Sequence, residues 1–163
     1  MHMSAAGRTM LKELEGVRTE PYLDVASLET TGCGHLCTEE ERACGLITIG
    51  GADVPYRERP LTDAEIDQLL AQDLALAEQA ITDAVTVPLT QAQFDALCSF
   101  VFNCGIGAFW RSTLLTRLND GHYGDIPDEL RRWNKAGGRV IQGLIRRREH
   151  EILCWHGAYE EEA

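Results

Sequence analysis

From Thr62 to Ala84 the chain carries one unbroken amphipathic pattern, and no other feature limits its fold as much. Ile66, Leu69, Leu70, Leu74, Ala77, Ala80, Ile81 and Ala84 recur at helical spacing. Thr62-Asp63-Ala64-Glu65 forms a capping box at the start, its hydroxyl and carboxylate satisfying backbone donors that a first helical turn leaves over. Pro88 closes the element. The pattern predicts one long helix, with a different kind of sequence on either side of it.

On the N-terminal side, a short helix is expected from about Ser4 to Leu14, with Met10, Leu11 and Leu14 on one face and Glu15-Gly16 as its stop. From Pro21 to Leu36, Thr, Tyr and Gly replace helical periodicity, and Gly32-Cys33-Gly34 reads as tight strand or turn backbone. Leu46-Ile47-Thr48-Ile49, then Gly50-Gly51 and Val54-Pro55-Tyr56, read as a hairpin.

After the long helix everything reads as helical. Thr90-Gln91-Ala92-Gln93 opens a second helix by the same capping pattern, with Phe94, Leu97, Cys98, Val101 and Phe102 as its buried stripe. Shorter helices are expected near Ser112–Leu118 and Pro127–Trp133, and a last one from about Val140 to Trp155, before a frayed tail at Glu160-Glu161-Glu162. The expectation is a single α+β domain over 1–163. In it a small β-hairpin lobe (about 15–60) is joined by the long helix (about 62–85) to a larger helical lobe (about 88–156).

With 15 Lys and Arg against 26 Asp and Glu, the net charge of −11 argues against nucleic acid and anionic membranes as partners. The charge is uneven: nine cations and four anions lie between Gly105 and Arg148. That segment is either a solvated helical surface or a basic face for an anionic polymer. No apolar run approaches the ~20 residues that span a bilayer. Residues Met1–Arg8 lack the apolar core of a secretory signal. Both point to a soluble protein made in the cytoplasm, with no membrane segment. Six cysteines are too sparse for a disulfide scaffold, so free thiols are expected. Cys33, His35, Cys37 and Cys44 fit no common zinc spacing, and no metal or organic cofactor is expected. Cys98 and Cys104 fall on or at the end of an apolar helix, which suits a nucleophile poorly.

Chemistry is most legible in the β region. Glu15 closes a helix, Asp24 follows after eight residues and Thr30 after five more, on the expected hairpin. A helix end and a hairpin can hold two carboxyl groups on opposite walls. Cleavage of a glycosidic bond uses such a pair, one to protonate the leaving oxygen and one on the other face. A hydroxyl beside the second group can orient water. Spacing alone is weak evidence, because in an acidic chain most carboxylates are solvated charges.

The surrounding residues resemble the bacteriophage endolysins of glycoside hydrolase family 24, the T-even and lambdoid lysozymes. The resemblance rests on Glu15-Gly16, Arg18, Tyr22, Asp24, Thr30, Gly32, Gly34 and His35, then Leu89–Leu97, Ser99–Gly105, Ser112–Leu115, Arg132-Trp133-Asn134, Gly143-Leu144, Arg147-Arg148 and Glu151. It implies a lysozyme-like fold and a muramidase that hydrolyses the β-1,4 bond between N-acetylmuramic acid and N-acetylglucosamine. By position, Glu15 matches the general acid, Asp24 the second carboxylate and Thr30 the water-placing hydroxyl. Asn103 matches a position that contacts sugar, and Arg139 an arginine directed toward the catalytic Glu. His35 matches a histidine that pairs with an aspartate, here Asp73, a pair read as structural. Arg132 with Trp133 is either substrate-supporting or simply packing, and Arg147 and Arg148 are expected to support the fold through Glu151.

Four departures stand out. Ser27 replaces a usual Gly in the turn between the acids, Thr31 a usual Ile, Cys33 a usual bulky residue, and the net charge is acidic where relatives are often basic. The basic C-terminal segment is expected to take over attraction to the cell wall. The resemblance further implies peptidoglycan strands as partner, holin-dependent release, a monomer, and residence in the host cytoplasm before action at the periplasm and wall. A lytic transglycosylase and an inactive peptidoglycan-binding module remain as rival readings.

Overall fold

The computed structural model describes residues 1–24 and 26–159; the expected frayed tail lies outside them. Among the described residues the chain forms eight α-helices and three small antiparallel sheets. It divides into two compact units, one of Leu11–Asp73 and one of Met1–Met10 with the chain from Leu74 onward.

The Leu11–Asp73 unit begins within α1 (Ala5–Glu15). Strands β1 (Arg18–Leu23), β2 (Glu29–Gly32) and β3 (His35–Leu36) make a three-stranded meander, with Tyr22 opposite Thr30 and Thr30 opposite Leu36. A six-residue helix, α2 (Glu39–Cys44), follows, and sequence reading missed it. It carries a complete capping box, Thr38 with Glu41, but buries no residue and so leaves no apolar period to detect. Strands β4 (Ile47–Ile49) and β5 (Ala52–Val54) form the expected hairpin. Ile47, Ile49, Val54, Tyr56, Leu61, Ile66, Leu69 and Leu70 are its buried core.

Helix α3 (Asp63–Ala84) is the long helix, capped by Thr62 and Glu65 as read from sequence. Its C-terminal half belongs to the second unit, where α4 (Gln91–Cys104) packs against α8 (Gln142–Trp155). Helix α5 (Ile106–Trp110) packs on α4, α7 (Ile126–Arg131) on α8, and α6 (Thr113–Asn119) on α5 and α7.

Two expectations need correction here. Phe102 is only half-buried, while Phe100 is fully buried, because α4 is covered on every side from Phe94 to Val101 and is no one-sided amphipathic helix. The last helix starts at Gln142 and not Val140, since Val140 belongs to a hairpin of β6 (Lys135–Ala136) and β7 (Arg139–Val140). Gly137 and Gly138, both at positive φ, supply its two-residue turn.

The N-terminus is tied into this second unit. Ser4 caps α1 by accepting from Gly7 N and donates through N and Oγ to the buried Asp95. Glu78 accepts from the Met3 amide at 2.7 Å. All six cysteines are thiols. Burial pushes the Cys98 thiol upward and Cys154 up to about 12, the opposite of an activated nucleophile. No helix among the described residues is long and apolar enough to cross a membrane.

Candidate active site

Glu15, Asp24 and Thr30 all lie in the Leu11–Asp73 unit, each placed by a different element. Glu15 is the last residue of α1; Gly16, at φ +76°, donates its N–H to Lys12 O and turns the chain out of the helix. The glycine between β2 and β3 faces it: a Cβ built on Gly34 would sit 3.9 Å from Glu15 Oε2. The hairpin tip therefore approaches the Glu15 carboxylate with no side chain of its own.

Asp24 and Thr30 are fixed on either side of one residue, Leu28. Asp24 Oδ1 accepts the Leu28 amide at 2.9 Å and the Ala26 amide at 2.8 Å, while Thr30 Oγ1 donates to the Leu28 carbonyl at 3.2 Å. Asp24 N donates to the same carbonyl at 2.9 Å. Asp24 thus organises the turn that separates it from Thr30, as a short acidic side chain can. In that turn Ser27 takes φ +61°, the left-handed conformation that its usual Gly would adopt without strain. Thr30 itself is buried.

Strand β2 is clamped one residue earlier. Glu29 accepts from Tyr56 Oη at 3.0 Å and from Arg57 through Nε at 2.8 Å and Nη2 at 2.5 Å. The Arg57 guanidinium holds the Glu29 carboxyl below its ordinary range. The hydroxyl of Thr31, wholly buried beside Thr30, has no hydrogen-bond partner among the described residues.

His35 Nδ1 meets Asp73 Oδ1 at 2.9 Å and Oδ2 at 3.0 Å. Its Nε2 lies 3.3 Å from Oε2 of Glu41, a partner that sequence reading missed together with α2. Burial works against the imidazolium, but Asp73 and Glu41 outweigh it and raise the His35 pKa.

The remaining expected residues lie in the other unit. Asn103 is exposed in the last turn of α4, and its Oδ1 accepts from Arg148 Nη2 at 2.9 Å. Arg139 is exposed on β7, two residues from Val140's neighbour Ile141 and beside the Gly137-Gly138 turn. Arg132 is exposed and pairs with Glu129 at 3.0 Å, while Trp133 packs edge-on against Phe100. Arg147 and Arg148 are buried against Glu151. Arg131 pairs with Asp128 and with Glu149, the latter lying just beyond the cation-rich segment. No group of three or more His, Cys, Asp or Glu among the described residues could hold a metal ion.

An α+β fold with a helix-end carboxylate against the β2–β3 hairpin, and a second acid and a hydroxyl at the two ends of the β1–β2 turn, is the architecture of a lysozyme-like protein. The phage lysozyme family model matches residues 12–151, and the chain belongs to that family. It is 36% identical to the endolysin of Bacillus phage B103 over 153 residues, covering 93% of this chain and 52% of that one. The chain thus spans about half the length of that relative. It is 37% identical to the endolysin of Acyrthosiphon pisum secondary endosymbiont phage 1 over 162 residues, covering 97% of this chain and all of that one. A crystal structure of a P22 lysozyme mutant superposes with a TM-score of 0.81 at 36% identity, over 96% of this chain and 99% of that one.

Proposed function

We propose that the chain is an endolysin muramidase, cutting the β-1,4 bond between N-acetylmuramic acid and N-acetylglucosamine in peptidoglycan to lyse a bacterial host. The observation that carries this reading is the placement of Glu15 at the end of α1, with the bare Gly34 turn against its carboxylate. Asp24 and Thr30, locked together through Leu28, supply the second carboxylate and hydroxyl.

In this mechanism Glu15 gives its proton to the glycosidic oxygen as the bond breaks. Asp24 steadies the oxocarbenium-like carbon or takes a proton from water, and Thr30 orients that water. The family resemblance implies inversion. Asn103 serves as a substrate contact, Arg139 in support of the catalytic acid and His35 with Asp73 as a structural pair. Arg132, paired with Glu129 at the surface, has the weaker claim to a substrate role. No cofactor takes part. The protein works as a monomer, waits in the host cytoplasm and reaches the wall after a holin opens the membrane.

Digesting purified peptidoglycan in ¹⁸O-labelled water tests the reading by mass spectrometry. Label at the new reducing N-acetylmuramic acid end, absent with Glu15→Gln, is the expected result. Unlabelled 1,6-anhydro products would identify a lytic transglycosylase. An absence of products from the wild-type protein would leave only a peptidoglycan-binding module.

A further inference from the structure

The core around α8 buries two arginines against one carboxylate. Glu151 is fully buried and meets two buried arginines. Arg147 Nε lies 3.3 Å from its Oε1, Arg148 Nη2 lies 2.9 Å from the same oxygen, and Arg148 Nε lies 2.7 Å from its Oε2. That last contact brings the charges together, but its angle is too bent for a hydrogen bond, and both atoms lack one among the described residues. Ser99 Oγ donates to Glu151 Oε1 at 2.8 Å. One arginine would neutralise the one carboxylate. Burying a second charge is costly unless it is paired or bound by other groups.

The second arginine is held by other means, and they lead outward. The Arg148 guanidinium stacks over Phe100 at 5.2 Å, and Phe100 meets Trp133 edge-on at 5.2 Å. Its Nη1 donates to Cys104 Sγ at 3.1 Å and reaches the Trp133 carbonyl at 3.5 Å. Its Nη2 has two protons and two acceptors, Glu151 Oε1 inside and Asn103 Oδ1 toward the surface, each at 2.9 Å. The planar guanidinium is therefore a rigid link between a buried carboxylate and an exposed amide.

We propose that Arg148 is a positioning residue that fixes Asn103 with its carbonyl inward and its N–H₂ outward, as a donor for the acetamido carbonyl of the glycan. An asparagine amide has one acceptor end and one donor end. With the acceptor end committed to Arg148, the exposed side chain offers only its donor. The acceptor that peptidoglycan presents on both of its sugars, and that a de-N-acetylated strand lacks, is the acetamido carbonyl. This inference rests on the proposed function and adds to it the part of the substrate that Asn103 recognises.

The test compares kcat and KM on N-acetylated and chemically de-N-acetylated glycan strands. The proteins are wild type, Asn103→Ala, Arg148→Met, Arg148→Lys and the double variant Asn103→Ala/Arg148→Met, with melting temperatures measured alongside. Arg148→Met leaves Arg147 and Glu151 as a balanced pair. On acetylated strands each single variant is expected to lose about tenfold in kcat/KM, chiefly through KM, the loss of one good hydrogen bond. The double variant should lose no more than either single one, because the two residues act as a unit. All should treat de-N-acetylated strands alike. Full activity in Arg148→Met, or losses that multiply in the double variant, would overturn the proposal.

Should the Arg148 variants fail to fold, Asn103→Asp decides. It keeps an acceptor against Arg148 and removes the outward donor, so it should lose as much as Asn103→Ala while melting no lower than wild type. Wild-type activity in Asn103→Asp would refute the donor role. Glu15→Gln keeps the two levels apart, since activity surviving in that variant sinks the muramidase reading itself.

Discussion

His35 Nδ1 lies 2.9 Å from Asp73 Oδ1, bringing together residues 38 apart in sequence. Glu41 stands at the other ring nitrogen, so the imidazole is bracketed by two carboxylates and its pKa is raised despite burial.

The sign of the resulting pH dependence follows. Below the unfolded histidine value of about 6.5 the ring is charged in both states and the full contribution is present. As pH rises through the raised folded pKa, that contribution is lost. Asp73→Asn should therefore cost about 1.5–3 kcal/mol near pH 6, the worth of a charge-assisted hydrogen bond, and much less at pH 9. Melting temperatures of both proteins across this range check it; a cost independent of pH would show that the ring is not ionised in the pair.

Thr31 buries a hydroxyl with no partner among the described residues, where a methyl of the same size would suffer no desolvation loss. Thr31→Val should stabilise the protein by about 1–3 kcal/mol, read as a higher midpoint in urea unfolding with an unchanged slope.

Ser27 occupies a left-handed backbone conformation at φ +61° in the turn that Asp24 organises. Ser27→Gly should raise stability by about 0.5–1 kcal/mol, the relieved backbone strain being partly offset by the greater freedom of unfolded Gly. Calorimetry measures this. A loss of stability would mean that the entropy of Gly outweighs the strain.

Gly7 sits against Asp95, and a Cβ there would lie 2.8 Å from Asp95 Cγ. That carboxylate is held by Ser4 and Gln91 and is buried, so it has little room to move. Gly7→Ala should cost about 1–3 kcal/mol through overpacking. Thermal unfolding would reveal the loss, and limited proteolysis near the N-terminus should accelerate with it.

Much of the helical framework was legible because its signals are local. Thr62 with Glu65 and Thr90 with Gln93 sit three residues apart and cap α3 and α4 as read. The same pair at Thr38 and Glu41 went unread, since a six-residue helix with nothing buried shows no period. Two-residue strands likewise hid β6 and β7, although Gly137-Gly138 signals such a turn. Periodicity assumes one buried face and so selects Phe102 over Phe100, whereas α4 is surrounded.

The sequence by itself determined which residues carry acid, hydroxyl and amide chemistry, the capped starts of α3 and α4, and, through ordered motifs, the family. Only the tertiary structure decided how those groups are held. It placed the bare Gly34 turn against Glu15, set Leu28 between Asp24 and Thr30, gave His35 a second carboxylate in Glu41, and linked Asn103 to Arg148 across 45 positions. The physical reason is range. Caps and periods act within about four residues along the chain, whereas a buried charge takes whichever partners the packed core brings to it, at any separation.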